Sequence, residues 1–175
     1  QRLGCNVGMP DITCWNAERA RLRRRHPVCP FDEVVSMAFA SERRVDFPMV
    51  DLAKIVYYPR FWDMAHRFYE ESWEFSCGLH YNEILSSHNI AFPLVHSEAQ
   101  FIHPISYGDT VHCTITVPRI GKTSINWHYE FRNQEGTLCW LADQVTVCTD
   151  MREVKSKLEV PDWMREGLSK MSPES

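Results

Sequence analysis

The chain has 175 residues, 44% of them hydrophobic and 24% charged, with a formal net charge of −4. These values fit one ordinary globular domain with enough apolar surface for a core. They exclude a general basic field for nucleic acid or an anionic membrane, and no apolar run approaches the roughly 18 residues of a membrane helix.

Residues 1–33 read as an appendage. They hold Pro10, Pro27 and Pro30, three cysteines and a basic run of Arg19, Arg21, Arg23, Arg24 and Arg25. Asn16 is placed to cap a short helix that Pro27 ends. The arginines make a solvated helix face, or a contact for phosphate groups, a partner subunit or another acidic surface. The chain starts at Gln1 rather than Met, which leaves room for a leader removed before it.

From Val34 the pattern becomes regular. Met37, Phe39, Val45, Phe47 and Met49 alternate as one face of a long strand. Arg43 shares that parity, so the face must open at its middle or the strand must bulge. Pro59 then sits where a helix accepts proline best, in its first turn. Over Pro59 to Cys77, Trp62, Ala65, Tyr69, Trp73 and Ser76 step by three and four, Phe61 and Phe68 widen the stripe, and Gly78 stops it. So many rings on one face call for a broad apolar cover, which a curved sheet supplies. Strands are predicted over Ile90 to Ile102 (one long, interrupted strand), Thr110 to Val117, Ser124 to Arg132 and Leu138 to Thr149, with turns at Gly108-Asp109, Gly121-Lys122 and Gln134-Glu135-Gly136. Ile125, Trp127, Tyr129 and Phe131 share one face of the third, and Leu141, Val145 and Val147 one face of the last. A terminal helix runs from Pro161 to Leu168. Helix and strands are segregated, which implies α+β rather than alternating βαβ.

The seven cysteines are odd in number and scattered, without a C-x-x-C pair. They imply reduced thiols in a cytoplasmic protein rather than a disulfide framework or zinc site. Cys113 and Cys148 fit strands as small buried hydrophobes. His88, His96, His103 and His112 lack ligand spacing, so no metal is expected.

The segment Asp51-Leu-Ala-Lys-Ile-Val-Tyr-Tyr-Pro-Arg-Phe61 resembles the signature of 4-hydroxybenzoyl-CoA thioesterases and related acyl-CoA thioesterases. His103-Pro104-Ile105-Ser106-Tyr107-Gly108-Asp109 resembles the family's turn before its third strand, Arg119-Ile120-Gly121-Lys122-Thr123-Ser124 its next hairpin, and Val160-Pro161-Asp162-Trp163 its ending. The resemblance spans roughly Val34 to Leu168 and implies a hot-dog domain over 34–170, an antiparallel sheet wrapped around one long helix. It further implies hydrolysis of an aryl- or medium-chain acyl-CoA, with CoA as part of the substrate and no other cofactor. A homodimer with sites between subunits, often paired into a tetramer, also follows from it, and an open sheet edge needs such cover.

Thioester hydrolysis needs attack on the carbonyl and stabilisation of the oxyanion. Asp51 lies in a loop before the helix where a carboxylate can be partly desolvated, and it can activate water or attack directly. Alternatively it is only a turn or capping residue. The helix N-terminus offers free N–H groups, and because Pro59 has none, the Tyr58 amide is the natural donor. The resemblance implies the same two roles. Lys54 stands where the family usually has glycine; its loop is expected to take a different shape, or Lys54 to act on Asp51 by proximity. His66 stands where the 4-hydroxybenzoyl enzyme has an aspartate that meets the phenol. Lys54, Phe61, Trp62 and His66 are the candidates for the acyl site, and Arg119 and Lys122 for the CoA phosphates. Two other readings stay open: a hot-dog dehydratase, for which no paired His and acid precede the helix, and an acyl-CoA-binding domain without turnover.

Overall fold

The computed structural model describes residues 38–173; the predicted appendage of residues 1–33 lies outside them. Strand β1 spans Phe39–Arg44 and pairs antiparallel with β4, Thr110–Ile120, in unbroken register from Phe39↔Ile115 to Arg44↔Thr110. The expected long strand through Met49 therefore ends early. Phe47–Met49 coils into a 3₁₀ turn, and Phe47, predicted inward, is 76% exposed. Pro48 has no N–H for a ladder, and Val45 closes the strand by exchanging main-chain bonds with Gly108 and Asp109. Arg43 keeps the inward parity with no bulge. Its guanidinium pairs with Glu71 and lies 5.3 Å over the Phe68 ring.

Helix α1 spans Pro59–Cys77 as predicted, and Gly78 ends it at φ 69° with its amide bonded to the Glu74 carbonyl. Met64, Phe68 and Trp73 on its inner face have no exposed surface. They are covered by an antiparallel five-stranded sheet in the order β1-β4-β5-β6-β3, with β3 at Leu94–Phe101, β5 at Ser124–Arg132 and β6 at Leu138–Val147. This is the hot-dog arrangement. Ile125, Trp127, Tyr129 and Phe131 of β5 all point at the helix, as their alternation requires. In β6 the inward row is Trp140, Ala142 and Thr146. Leu141, Val145 and Val147 do share a face, but it is the outer one. Apolar residues occupy both faces of this strand, so pairing with β5 decides the parity, and Trp127 Nε1 donates to Thr146 Oγ1 at 2.9 Å.

The interruption expected within Ile90 to Ile102 is present, and the strand predicted over Leu138 to Thr149 is also divided. Phe92-Pro93 separates β2, Ile90–Ala91, from β3, because proline cannot continue a ladder. Beyond Val147 the chain leaves the large sheet, and β2 joins β7, Thr149–Asp150, and β8, Glu153–Lys157, in a small second sheet. A short helix α2, Tyr81–Ser86, was not expected between helix and strands; six residues are too few for a periodic signal. Helix α3 runs over Asp162–Ser169 with Pro161 at its N-cap. Arg165 binds it to the β4–β5 hairpin, donating to the carbonyls of Val160, Gly121 and Lys122 at 3.1, 2.6 and 3.1 Å. After α3, the Met171 carbonyl accepts from the Val117 amide of β4 at 2.8 Å. Cys113, Cys139 and Cys148 are buried free thiols, and burial pushes Cys148 up to about 12. No helix among the described residues is long and apolar enough to cross a membrane.

The loop between the 3₁₀ turn and α1 folds back on itself. Val50 bridges Val56, the Asp51 amide donates to the Ile55 carbonyl at 3.0 Å, and the Lys54 amide donates to the Asp51 carbonyl at 2.9 Å. Lys54 takes φ 64°, so this corner of the loop is left-handed without a glycine. A left-handed L-residue is strained by about 1–2 kcal/mol, partly offset in a glycine variant by the greater freedom of the unfolded chain. Lys54→Gly is therefore expected to stabilise the domain by about 0.5–1 kcal/mol, read as a higher urea midpoint at unchanged slope. Gly167→Ala should act in the opposite sense. Helix propensity favours alanine by about 1 kcal/mol, but the new Cβ would lie 2.9 Å from the Ser76 carbonyl and 3.2 Å from the Cys77 Cα. Backbone cannot yield as a side chain can, so a net loss of about 1–2 kcal/mol is expected in the same titration.

Candidate active site

Asp51 stands on the loop just described, and its side chain is exposed in the single chain rather than partly desolvated as expected. Its Oδ1 accepts the Ala53 amide at 2.8 Å, a local turn that fixes the carboxylate's direction. Oδ2 has no partner among the described residues. Seven positions on, Tyr58 forms the N-cap of α1 with φ −50° and ψ −36°. The neighbouring amides are occupied: Tyr57 donates to the Met49 carbonyl and Arg60 to that of Tyr57. Pro59 has no N–H, and the Tyr58 amide has no acceptor among the described residues. An unpaired donor thus sits at the positive end of a 19-residue helix.

The other predicted residues are distributed differently. Lys54 makes no ion pair with Asp51. Phe61 is 4% exposed and packs against Phe101, Phe131 and Trp140, so it is a core ring. Trp62 lies at the surface, with Nε1 donating to Ser97 Oγ at 3.2 Å and its ring against Phe101 and Trp140. The His66 ring is 5.7 Å from Tyr69 and 6.0 Å from Tyr81, and its Nε2 lies 3.2 Å from Glu70 Oε1. Arg119 and Lys122 do not join this group. The Asp51 loop bonds to Ser106 and Tyr107 just before β4, and the two cations lie at the far end of that strand, roughly 30 Å away at 3.4 Å per residue. Arg119 is exposed, and Lys122 Nζ pairs with Glu159 Oε1 at 2.8 Å, which raises its pKa.

Tyr58, Trp62, His66 and Tyr69 are spaced by four, four and three along α1, which puts them on one face. Beside that face is a cavity of about 260 Å³, lined by Trp62, His66 and Tyr69 together with Tyr81, Phe92, Leu94, Gln144 and Thr146. Burial raises the phenols of both Tyr69 and Tyr81, so they remain neutral. Tyr69 Oη and Trp73 Nε1 are buried without a hydrogen-bond partner among the described residues. Tyr81, Phe92 and Gln144 are the site residues that sequence reasoning missed. No sequence signal marked Gln144 as inward, because the parity of β6 is decided only by its pairing with β5. Among the described residues, no three His, Cys, Asp or Glu side chains gather as metal ligands.

The model of the thioesterase-like superfamily matches residues 45–168. A 1,4-dihydroxy-2-naphthoyl-CoA hydrolase from Nostoc punctiforme is 31% identical over 128 residues, covering 72% of this chain and 83% of that protein. The crystal structure of a 1,4-dihydroxy-2-naphthoyl-CoA thioesterase from Synechocystis is similar with a TM-score of 0.67 at 29% identity, over 75% of this chain and 95% of that one. A 4-hydroxybenzoyl-CoA thioesterase mutant in complex with 4-hydroxybenzoyl-CoA shares the fold, with a TM-score of 0.69 at 21% identity over 76% and 99% of the two chains. Together with the helix-wrapping sheet, the match over most of the domain establishes that this chain belongs to the thioesterase-like superfamily.

Proposed function

We propose that the chain hydrolyses an aromatic acyl-CoA thioester, using Asp51 as the catalytic carboxylate and the Tyr58 amide as oxyanion donor. The observation that carries this reading is the unpaired Tyr58 amide at the helix N-terminus, in the same short segment as an uncommitted carboxylate oxygen. In the first step Asp51 takes a proton from water as its oxygen attacks the carbonyl carbon, or attacks directly to form an anhydride. The oxyanion is held by the Tyr58 N–H, a contact worth about 3 kcal/mol in comparable sites. Collapse expels the CoA thiolate, which takes up a proton; the acid is then free in the water route, whereas in the anhydride route a water must still hydrolyse the anhydride to release the acid and restore Asp51. This chemistry calls for no resident cofactor; CoA enters as part of the substrate. The aromatic walls of the cavity and the naphthoyl-CoA hydrolase relatives favour an aryl over a medium-chain acyl group.

The active form in this reading is a homodimer. Strand β3 pairs with β6 on one side only, and Leu94, Val95, Phe101 and Ile102 along it are 41–60% exposed. An edge of that length and apolarity needs cover, and a second copy would also desolvate the exposed Asp51. Binding of CoA phosphates by Arg119 and Lys122 then falls to a different copy from the one that supplies Asp51. The free thiols support the reducing, cytoplasmic setting that the cysteine pattern implies.

Thiol release from a panel of aryl- and fatty acyl-CoAs tests the assignment. Wild type is expected to prefer 1,4-dihydroxy-2-naphthoyl-CoA or a related aryl ester. Asp51→Asn is expected to lose at least a hundredfold in kcat with ligand binding retained. Measurable CoA binding with no release from any ester would instead support a binding domain without turnover.

A further inference from the structure

The cavity beside α1 holds polar groups that the fold does not pair: the buried Tyr69 hydroxyl on the helix side and the Gln144 carboxamide on the sheet side. On the inner faces of β3 and β6, Ser97 Oγ accepts from Trp62 and Thr146 Oγ1 accepts from Trp127. Gln144 lies between Ala142 and Thr146 on the same inward row, registered opposite the buried Trp127 on one side and Ser97 on the other. Its side chain is half-buried, lines the cavity and has no hydrogen-bond partner among the described residues. A strand covering an aromatic helix normally carries an apolar residue there, because a desolvated carboxamide without a partner costs about 1–3 kcal/mol.

The position matches a reader of the acyl group. Trp62 is one helical turn beyond the Tyr58 amide, about 6 Å along the axis, and His66 one turn further. A carbonyl held at the helix start therefore directs its acyl group along Trp62 and into the cavity. At about 260 Å³ the space falls below the ~300 Å³ at which pockets begin to take whole drug-sized ligands. It suits one or two fused rings, not an entire CoA ester. Trp62, Tyr81 and Phe92 supply flat apolar walls, and a carboxamide can both donate to and accept from a phenolic hydroxyl. On the opposite wall, the proximity of His66 Nε2 to Glu70 leaves Nδ1 for a ligand.

We propose that Gln144 is a specificity-determining residue whose carboxamide hydrogen-bonds a ring hydroxyl of the aromatic acyl group seated beside Trp62 and His66. The proposal rests on the thioesterase reading for the location of the carbonyl. It adds the prediction that hydroxylated rings are selected over bare rings of the same size, since a bare ring would displace water from Gln144 and leave it unpaired.

The test uses the full chain with 1-hydroxy-2-naphthoyl-CoA and 2-naphthoyl-CoA, and compares the ratio of their kcat/KM values between wild type, Gln144→Leu and the shape-matched Gln144→Met. The ratio favouring the hydroxylated ester is expected to fall about tenfold in both variants. A variant that is merely less well folded slows both esters alike and leaves the ratio unchanged, and an unchanged ratio in a folded variant overturns the proposal. In parallel, binding of the free acids 1-hydroxy-2-naphthoate and 2-naphthoate is followed by quenching of tryptophan fluorescence. If wild type turns over neither ester but the acid-binding ratio still falls tenfold in the variants, the thioesterase reading fails and the role of Gln144 stands. Equal binding of the two acids by wild type, or binding of neither, overturns the role of Gln144 whatever the turnover.

Discussion

The architecture depends on covering the aromatic face of helix α1. Rings interlock between helix and sheet, with Tyr69 and Trp127 centroids 4.8 Å apart, Trp73 and Trp127 5.4 Å and Phe68 and Phe131 5.7 Å. Burying one such side chain contributes about 1.5–3 kcal/mol, and a whole domain is typically stable by only about 5–15 kcal/mol. A one-residue slip of β5 would turn Ile125, Trp127, Tyr129 and Phe131 outward together, so register and curvature are set by the same contacts. Everything functional follows the helix: where its stripe must lie decides where its first turn points.

The loop ahead of that turn is held through main-chain groups. Val56 donates to the Ile105 carbonyl, Tyr57 to that of Met49, and Tyr107 to that of Lys54. Backbone bonds position the segment from both sides and leave Asp51 Oδ2 and the Tyr58 N–H uncommitted. In the proposed mechanism such preorganisation keeps both groups in place without consuming them. Lys54 at φ 64° is the local cost of that geometry.

Much of the fold was legible in the sequence because its strongest elements carry long, one-sided patterns. Helix α1 and strand β5 have periodicities of 3.6 and 2 over nine or more residues, and their limits matched. Elements without such a pattern were misjudged. The alternation through Phe47 and Met49 mimicked a strand that Pro48 forbids, β6 is apolar on both faces, and α2 is a six-residue helix with no periodic signal. At the candidate site, Asp51 and Tyr58 can be named from the sequence because both lie in one contiguous motif. The cavity was not legible, because Tyr81, Phe92 and Gln144 are far apart in sequence and meet only after β6 pairs with β3 and the helix docks. Phe61 and Trp62 adjoin in sequence, yet one is core and the other lines the cavity; a single helical step of about 100° separates them.

The closing of β4 by the chain's last residues bears on how the protein is made. β1 pairs only as far as Ile115, and the Val117 amide then bonds to the Met171 carbonyl, with Ser172 Oγ donating to the Val117 carbonyl at 3.1 Å. Arg165 meanwhile fastens the hairpin that leads to β5. These partners emerge from the ribosome after every strand of the sheet has been synthesised. Folding during translation therefore leaves a length of β4 open until Met171 is free of the exit tunnel. A message truncated within α3 would yield a nearly complete domain with a bare strand edge, which is a template for pairing with other chains rather than a slightly shortened enzyme.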